Sequence, residues 1–445
     1  MEPDPTPHPN PLPQGEREIS EPVANSLSPL WEREGPAAQQ REGEGSLAAA
    51  IERSPAFLVA LLCLTSVLGM LGSSSFSALL PEFQRDWGLS NTEAGWISGI
   101  FYGGYVAAVP FLVGSTDRID PRRIYLISFV IAGAAALGFA LLAEGFWSAL
   151  AWRALAGAGL AGGYMPGLKL LTDRVSGPRQ SRYVAFYTAG FSLGTATSFA
   201  FTGEIAAWFG WRVAFAAAGV SCLLGFLLVL WLLSPRAPTV SGARRVLDFR
   251  PVFRNRAAMA FILGYAGHTW ELFALRSWLP AFLVSAASLA GDSAGATEAS
   301  WLSTAVVLLS TVASIYGAEL ATRSDRRRII GRIMTLSVVL SALAGFSVGL
   351  PIYAVAALCL AYHMIIMADS AALTGGAVAT SPLGERGATL AVHSILGFSG
   401  GFFGPLAVGA VLDLAGGSAS RLAWGLAFLA MGAGSAAGIA AIRRL

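Results

Sequence analysis

From residue 56 to residue 442 the chain runs as long apolar stretches separated by short charged ones. The stretches show no period-two alternation, so they read as helices and not as barrel strands. Each is close to the ~20 residues that a helix needs to cross ~30 Å of hydrocarbon. Lipid offers the backbone no hydrogen-bond partners, so a continuous apolar stretch must satisfy its own peptide groups as a helix. Twelve spans are predicted: 56–79, 93–115, 122–143, 146–172, 183–209, 212–233, 257–285, 298–321, 328–349, 351–378, 387–415 and 420–442. They divide six and six about an arginine-rich segment. The expected organisation is an N-terminal bundle over 55–233, a cytoplasmic linker over 234–256 and a C-terminal bundle over 257–445.

The two halves repeat each other. TEAGWIS at 92–98 returns as TEASWLS at 297–303, and TDRIDPRRIY at 116–125 returns as ATRSDRRRII at 321–330. Pro178 and Arg182 match Pro382 and Arg386, and LLPEF at 79–83 matches WLPAF at 278–282. A period this long is a duplicated and fused hydrophobic unit, not a solenoid. In a membrane protein it points to two pseudo-symmetric halves with a site between them.

Composition agrees: 54% of residues are hydrophobic and 13% charged, against about 25% charged in soluble domains. With both termini placed in the cytoplasm, the inner loops and tail carry twenty arginines and the outer loops three, Arg85, Arg212 and Arg421. That asymmetry fixes orientation. Trp87, Trp96, Trp147, Trp152, Trp208, Trp211, Trp278, Trp301 and Trp424 fall near outer ends, as an interfacial belt would. The net charge of +3 then reflects topology and argues against a nucleic-acid partner. Cys63, Cys222 and Cys359 are isolated within spans and read as packing residues. Residues 1–54, rich in Pro, Glu and Ser, cannot bury a core and read as a disordered cytoplasmic tail, with a misassigned start codon as the alternative.

The loop between spans 2 and 3 holds Asp117, Arg118, Arg122 and Arg123. It resembles the Gly-x-x-x-Asp-Arg-x-Gly-Arg-Arg signature of major facilitator superfamily transporters. The glycines depart: Val113 takes the first position and Asp120 the second. In the weaker second copy Thr322 replaces the aspartate, while Asp325, Arg327 and Arg328 remain. Arg153, Gly157, Gly159 and Ala161 in span 4, with Ala156 where the family carries glutamine, and WFGWRVAF at 208–215 are also similar to family patterns. The resemblance implies an all-α membrane protein of twelve transmembrane helices in two six-helix bundles, a carrier working by alternating access. It further implies that Asp117 and Arg118 contact the other half, with Arg122, Arg123, Asp325, Arg327 and Arg328 completing a conformational gating loop. The alternative is that these charges only set topology. Gly400, Gly404, Pro405 and Gly409 in span 11 resemble the glycine-proline motif of drug antiporters, but that motif belongs in span 5, so close helix packing is expected here.

Ionisable residues at bilayer depth cost at least ~2.5–3.5 kcal/mol each and are functional candidates by default. Glu271 lies near the middle of span 7, with His268 and Tyr265 successively further inward. Arg276 lies on its outer half, facing substrate, Glu271 or the interface. Arg153 in span 4, Lys169 (the only lysine, four residues before Asp173), and Tyr362 and Asp369, which share a face of span 10, complete the expected substrate and proton pathway. Serines 73, 74, 75 and 77 line the cavity or bond back to their own helix. No phosphate-binding GxxxxGK[ST] loop, HExxH, GxSxG or paired metal ligand occurs, so neither an enzyme nor a cofactor or metal is expected. The cationic candidates favour proton-coupled uptake of a small organic anion by a monomeric multi-pass protein of the cell membrane, the inner membrane if the source is Gram-negative. The alternatives are proton-antiport efflux of drugs or metabolites and a non-transporting receptor on the same fold.

Overall fold

The computed structural model describes residues 54–177, 179–236, 249–382 and 385–444. The expected tail up to residue 53, Pro178, the linker interior 237–248 and the side chain of Asp117 lie outside the described residues. The first span opens with α1 (Pro55–Met70), breaks, and resumes as α2 (Ser75–Ala78) and α3 (Leu80–Trp87). α4 (Asn91–Leu112), α5 (Pro121–Leu142), α6 (Phe146–Thr172), α7 (Gln180–Phe209) and α8 (Trp211–Leu232) complete the first half. After the short α9 (Arg250–Arg254), the second half comprises α10 (Arg256–Ala290), α11 (Ala296–Arg323), α12 (Arg326–Gly345), α13 (Ile352–Ala379), α14 (Arg386–Leu414) and α15 (Arg421–Arg444). No strand occurs among the described residues, and nine of their helices are long and apolar enough to cross a membrane by length and composition. The remaining long helices, α6 and α7, are diluted by Gly, Ser, Thr and charged residues. Two of those polar positions, Arg153 and Thr195, line the cavity described below.

The break in the first span is a difference from the predicted continuous helix over 56–79, and its cause is local. Ser198 on α7 accepts the Ser74 N–H at 3.0 Å and donates to the Leu71 carbonyl at 2.6 Å. Ser74 donates to the Thr195 carbonyl at 3.2 Å, and Ser75 pairs with Thr202 at 2.8 Å. The Ser198 hydroxyl of α7 thus serves two backbone groups at the break, which is how irregular backbone is tolerated at membrane depth.

The packing repeats with the sequence. In the first half α1 lies against α7, α4 against α6, and α5 against α8; in the second α10 lies against α14, α11 against α13, and α12 against α15. The halves meet along α4 with α14 and along α7 with α11. These seams need small residues because lipid supplies no hydrophobic drive between helices. A Cβ on Gly99 would collide with the Phe402 carbonyl and one on Gly409 with the Asn91 carbonyl; within the second half, one on Gly400 would collide with the Ala266 carbonyl. The expected role of the span-11 glycines in close packing is what the structure shows.

The hydrogen bonds between the halves lie, among the described residues, from mid-depth to the end carrying Asn91, Phe209 and Leu414, the outer end by the arginine count. Asp413 on α14 accepts from Asn91 N at 3.0 Å, Asn91 Nδ2 at 2.8 Å, Thr92 N at 2.7 Å and Thr92 Oγ1 at 2.6 Å. At the pseudo-equivalent seam Trp301 donates to Glu204 on α7 at 2.5 Å, and deeper in, Thr304 donates to the Ala196 carbonyl at 3.0 Å. Both outer contacts involve the duplicated segment: Asn91 and Thr92 open onto TEAGWIS, and Trp301 belongs to TEASWLS.

The tryptophan belt is only partly interfacial. Trp147, Trp208 and Trp301 are exposed, but Trp278 and Trp424 are fully buried and donate to the Pro405 and Ser418 carbonyls. A buried indole N–H needs an acceptor, and backbone carbonyls inside α14 and in the turn after it supply one to each. Cys222 and Cys359 are buried, Cys63 is half-buried, and all three are free.

Candidate functional site

Two arginines, one from each half, reach one cavity. Arg153 on α6 is 3% exposed; its Nη2 donates to the Ser73 carbonyl at 3.2 Å, and its guanidinium sits 4.4 Å over the Phe101 ring. Arg276 on α10 is 4% exposed; its Nε donates to His363 Nε2 at 3.1 Å, and its Nη2 reaches Met367 Sδ at 3.7 Å. Neither forms an ion pair among the described residues. Both line a cavity of about 390 Å³, together with Ser73, Ser74, Ser77 and Tyr102. Tyr102 stacks on Phe273 of α10 with centroids 4.1 Å apart, so rings from both halves wall it.

The protonation of His363 follows from its partners. A guanidinium only donates, so Nε2 must carry a lone pair. Ser310 Oγ donates to the Val307 carbonyl at 3.0 Å, so it receives the His363 Nδ1–H, 2.5 Å away. His363 is a neutral imidazole relaying Arg276 to α11. Spacing along one helix does not show that a residue between two neighbouring helices can bond to both, so sequence reasoning misses His363.

The expected Tyr265–His268–Glu271 stripe is divided. At 3.6 residues per turn, each three-residue step falls back about 60°, so the three residues fan towards different helices. Glu271 is fully buried inside the second half; Tyr362 donates to its Oε1 at 2.7 Å and Ser435 to its Oε2. His268 Nδ1 lies 2.7 Å from Asp369 Oδ1, both buried. Tyr265 stacks on His268 with centroids 5.4 Å apart and on His393 with centroids 4.0 Å apart, and His393 reaches Thr374 at 3.2 Å. The face shared by Tyr362 and Asp369 therefore meets α10 twice, at Glu271 and at His268. Arg276 does not reach Glu271: five residues place them about 140° apart around the helix.

Lys169 bonds Asp173 at 3.1 Å one turn away and does not line the cavity that Arg153 and Arg276 share. Of the residues expected to gate, Arg118 and Arg123 are exposed. Arg122 is buried and donates to the Leu230 carbonyl at 2.8 Å. Asp120, one of the two departures from the family glycines, accepts from Arg122 N and from Arg236 N, each at 2.9 Å, and so ties the loop to the start of the linker. Asp325 caps α12 and pairs with Arg328 at 3.3 Å, and Arg327 lies 5.6 Å over Phe261.

Residues 62–293, more than half of the chain, match the family described as the Major Facilitator Superfamily. The chain belongs to that superfamily. It is a multi-pass membrane protein. It is 27% identical over 263 residues to the chloramphenicol resistance protein of Streptomyces lividans, covering 58% of this chain and 64% of that one. It is 25% identical over 270 residues to a probable L-galactonate transporter of Escherichia coli strain K12, covering 55% and 58%. The chain thus spans roughly three fifths of the length of these curated relatives. A crystal structure of a bacterial homolog to the human lysosomal transporter Spinster, inward-facing and occupied, superposes with a TM-score of 0.69 at 15% identity, covering 87% of this chain and 95% of that one. That likeness establishes the shared fold.

Proposed function

We propose that this superfamily member takes up a small organic anion together with protons, by alternating access of a site between its halves. The observation that carries the reading is the pair of buried arginines, Arg153 and Arg276, lining one cavity without a carboxylate partner among the described residues. A buried cation left without a counter-charge is costly, and an entering carboxylate supplies that charge. Relatives named for L-galactonate and hexuronate transport support an organic acid. A negative-inside potential opposes anion entry by about 2.3 kcal/mol per charge per 100 mV, and co-moving protons remove that cost.

Glu271, with His268 and Asp369 behind it, is the proposed proton carrier. Its partners Tyr362 and Ser435 are hydroxyls, which can donate to a carboxylate or accept from a carboxylic acid. The pocket therefore satisfies both protonation states. The test is Glu271→Gln in proteoliposomes. Coupling through Glu271 predicts loss of pH-driven accumulation with anion exchange at equal concentrations retained. Parental accumulation by the folded variant would rule the role out. The relative named for chloramphenicol resistance supports an efflux reading, in which an inside-acid gradient, not an inside-alkaline one, drives accumulation.

A further inference from the structure

A second cavity opens beside the first, within the first half. It lies between α1, α4, α5, α6 and α8, with about 790 Å³ of open space among its lining atoms. Phe101, Phe129, Phe139, Trp152 and Phe215 dominate its wall. The two cavities share Met70, Ser73, Phe101, Arg153 and Leu160, so they join at Arg153.

The polar atoms are distributed unevenly. In the interior of the larger cavity, Thr65 donates to the Leu62 carbonyl at 3.2 Å and meets the Tyr125 hydroxyl at 3.1 Å, while Ser128 donates to the Tyr125 carbonyl at 2.7 Å. These hydroxyls are engaged with the protein. At the junction, Arg153 Nε and Ser73 Oγ are buried with no hydrogen-bond partner among the described residues. A ligand there meets open donors at one end and aromatic rings beyond. A polyhydroxylated acid would bury hydroxyls against a wall made mostly of phenylalanine rings, which cannot bond them, at a cost for each.

We propose that the transported anion is a carboxylate with an apolar body, aryl or alkyl, its carboxylate at Arg153 and Ser73 and its body in the first-half cavity. This rests on the anion reading of Arg153 and Arg276 and narrows its substrate class. Titration calorimetry of the purified chain with acetate, butyrate, hexanoate and octanoate, with 1-octanol and galactonate as controls, tests it. Affinity should rise about three- to fourfold per methylene across the acids, with 1-octanol far weaker than octanoate. Gly163→Leu and Ala136→Phe should flatten that slope and leave acetate binding unchanged. The side chain at 163 has room, since a Cβ there meets only Ser128 Oγ at 3.6 Å, and the two variants lie on different helices, so either alone suffices. A flat series in the parent, with galactonate still binding through Arg153, would overturn the apolar body while the anion reading stands. A slope surviving in both folded variants would overturn the cavity. Failure of every anion, galactonate included, would remove the anion reading and this inference with it.

Discussion

Replacing Asp413 by alanine should move the resting protein towards the state open at the outer end. The carboxylate accepts four hydrogen bonds from Asn91 and Thr92, at 2.6–3.0 Å, across the seam between the halves. Two of these come from backbone N–H groups in the first turn of α4, whose next N–H, that of Glu93, is already taken by Ser90. Separation of the halves strips both N–H groups of their acceptor and removes an anion from a helix N-terminus. Because Asp413 is exposed, water replaces much of each bond, so ~0.5 kcal/mol net for each is the appropriate scale. A further ~0.3–1 kcal/mol comes from the helix dipole. The sum, about 2–3 kcal/mol, is a shift of roughly 30- to 150-fold in the equilibrium. Asp413→Asn keeps an acceptor oxygen but loses the charge and should shift it less. Spin labels on a cysteine-free background at Trp147 and Leu422, exposed positions on opposite halves at this end, report the separation. Distance distributions that superpose for Asp413→Ala and parent would refute the latch.

Other substitutions probe neighbouring contacts. Gly99→Leu cannot coexist with the close approach of α4 to the Phe402 carbonyl, so it should populate the long-distance state and slow exchange; an unchanged distance distribution would show that the seam yields. His363→Leu removes the acceptor of a buried guanidinium N–H and should lower stability by about 1–3 kcal/mol, while His363→Gln retains an acceptor and should stay nearer the parent in thermal unfolding. Equal melting of the leucine variant and the parent would show that Arg276 finds another partner.

The spans are legible in the sequence because lipid forces helix on every long apolar stretch, and the duplicated TEAGWIS and TEASWLS segments mark equivalent places in the two halves. The break after Met70 is not legible, because it depends on α7 hydroxyls more than 120 residues away. Arg153, Arg276, Glu271 and His268 are legible as charges or titratable groups out of place, but their partners are not. Residues at three-residue spacing look like one stripe, yet α10 touches α13, α14 and α15 at once, and Tyr265, His268 and Glu271 are shared among them. Asp413 carries no sequence signal of its own, since an acid at a span end looks like a solvated charge. The usable hint is the duplication: Asp413 and Glu204, near the ends of pseudo-equivalent spans, each face a copy of the repeated segment.

The most direct measurement is accumulation of labelled anionic, neutral and cationic solutes by proteoliposomes under an imposed inside-alkaline pH gradient, with parent, Arg153→Ala and Arg276→Ala proteins side by side. An organic anion bound between the halves predicts that only anions accumulate. Each arginine variant should raise KM by about 10- to 100-fold, the scale of one or two charge-assisted hydrogen bonds, with the protein still folded. Accumulation of a neutral or cationic solute in place of the anions, or parental anion uptake by both arginine variants, would contradict it.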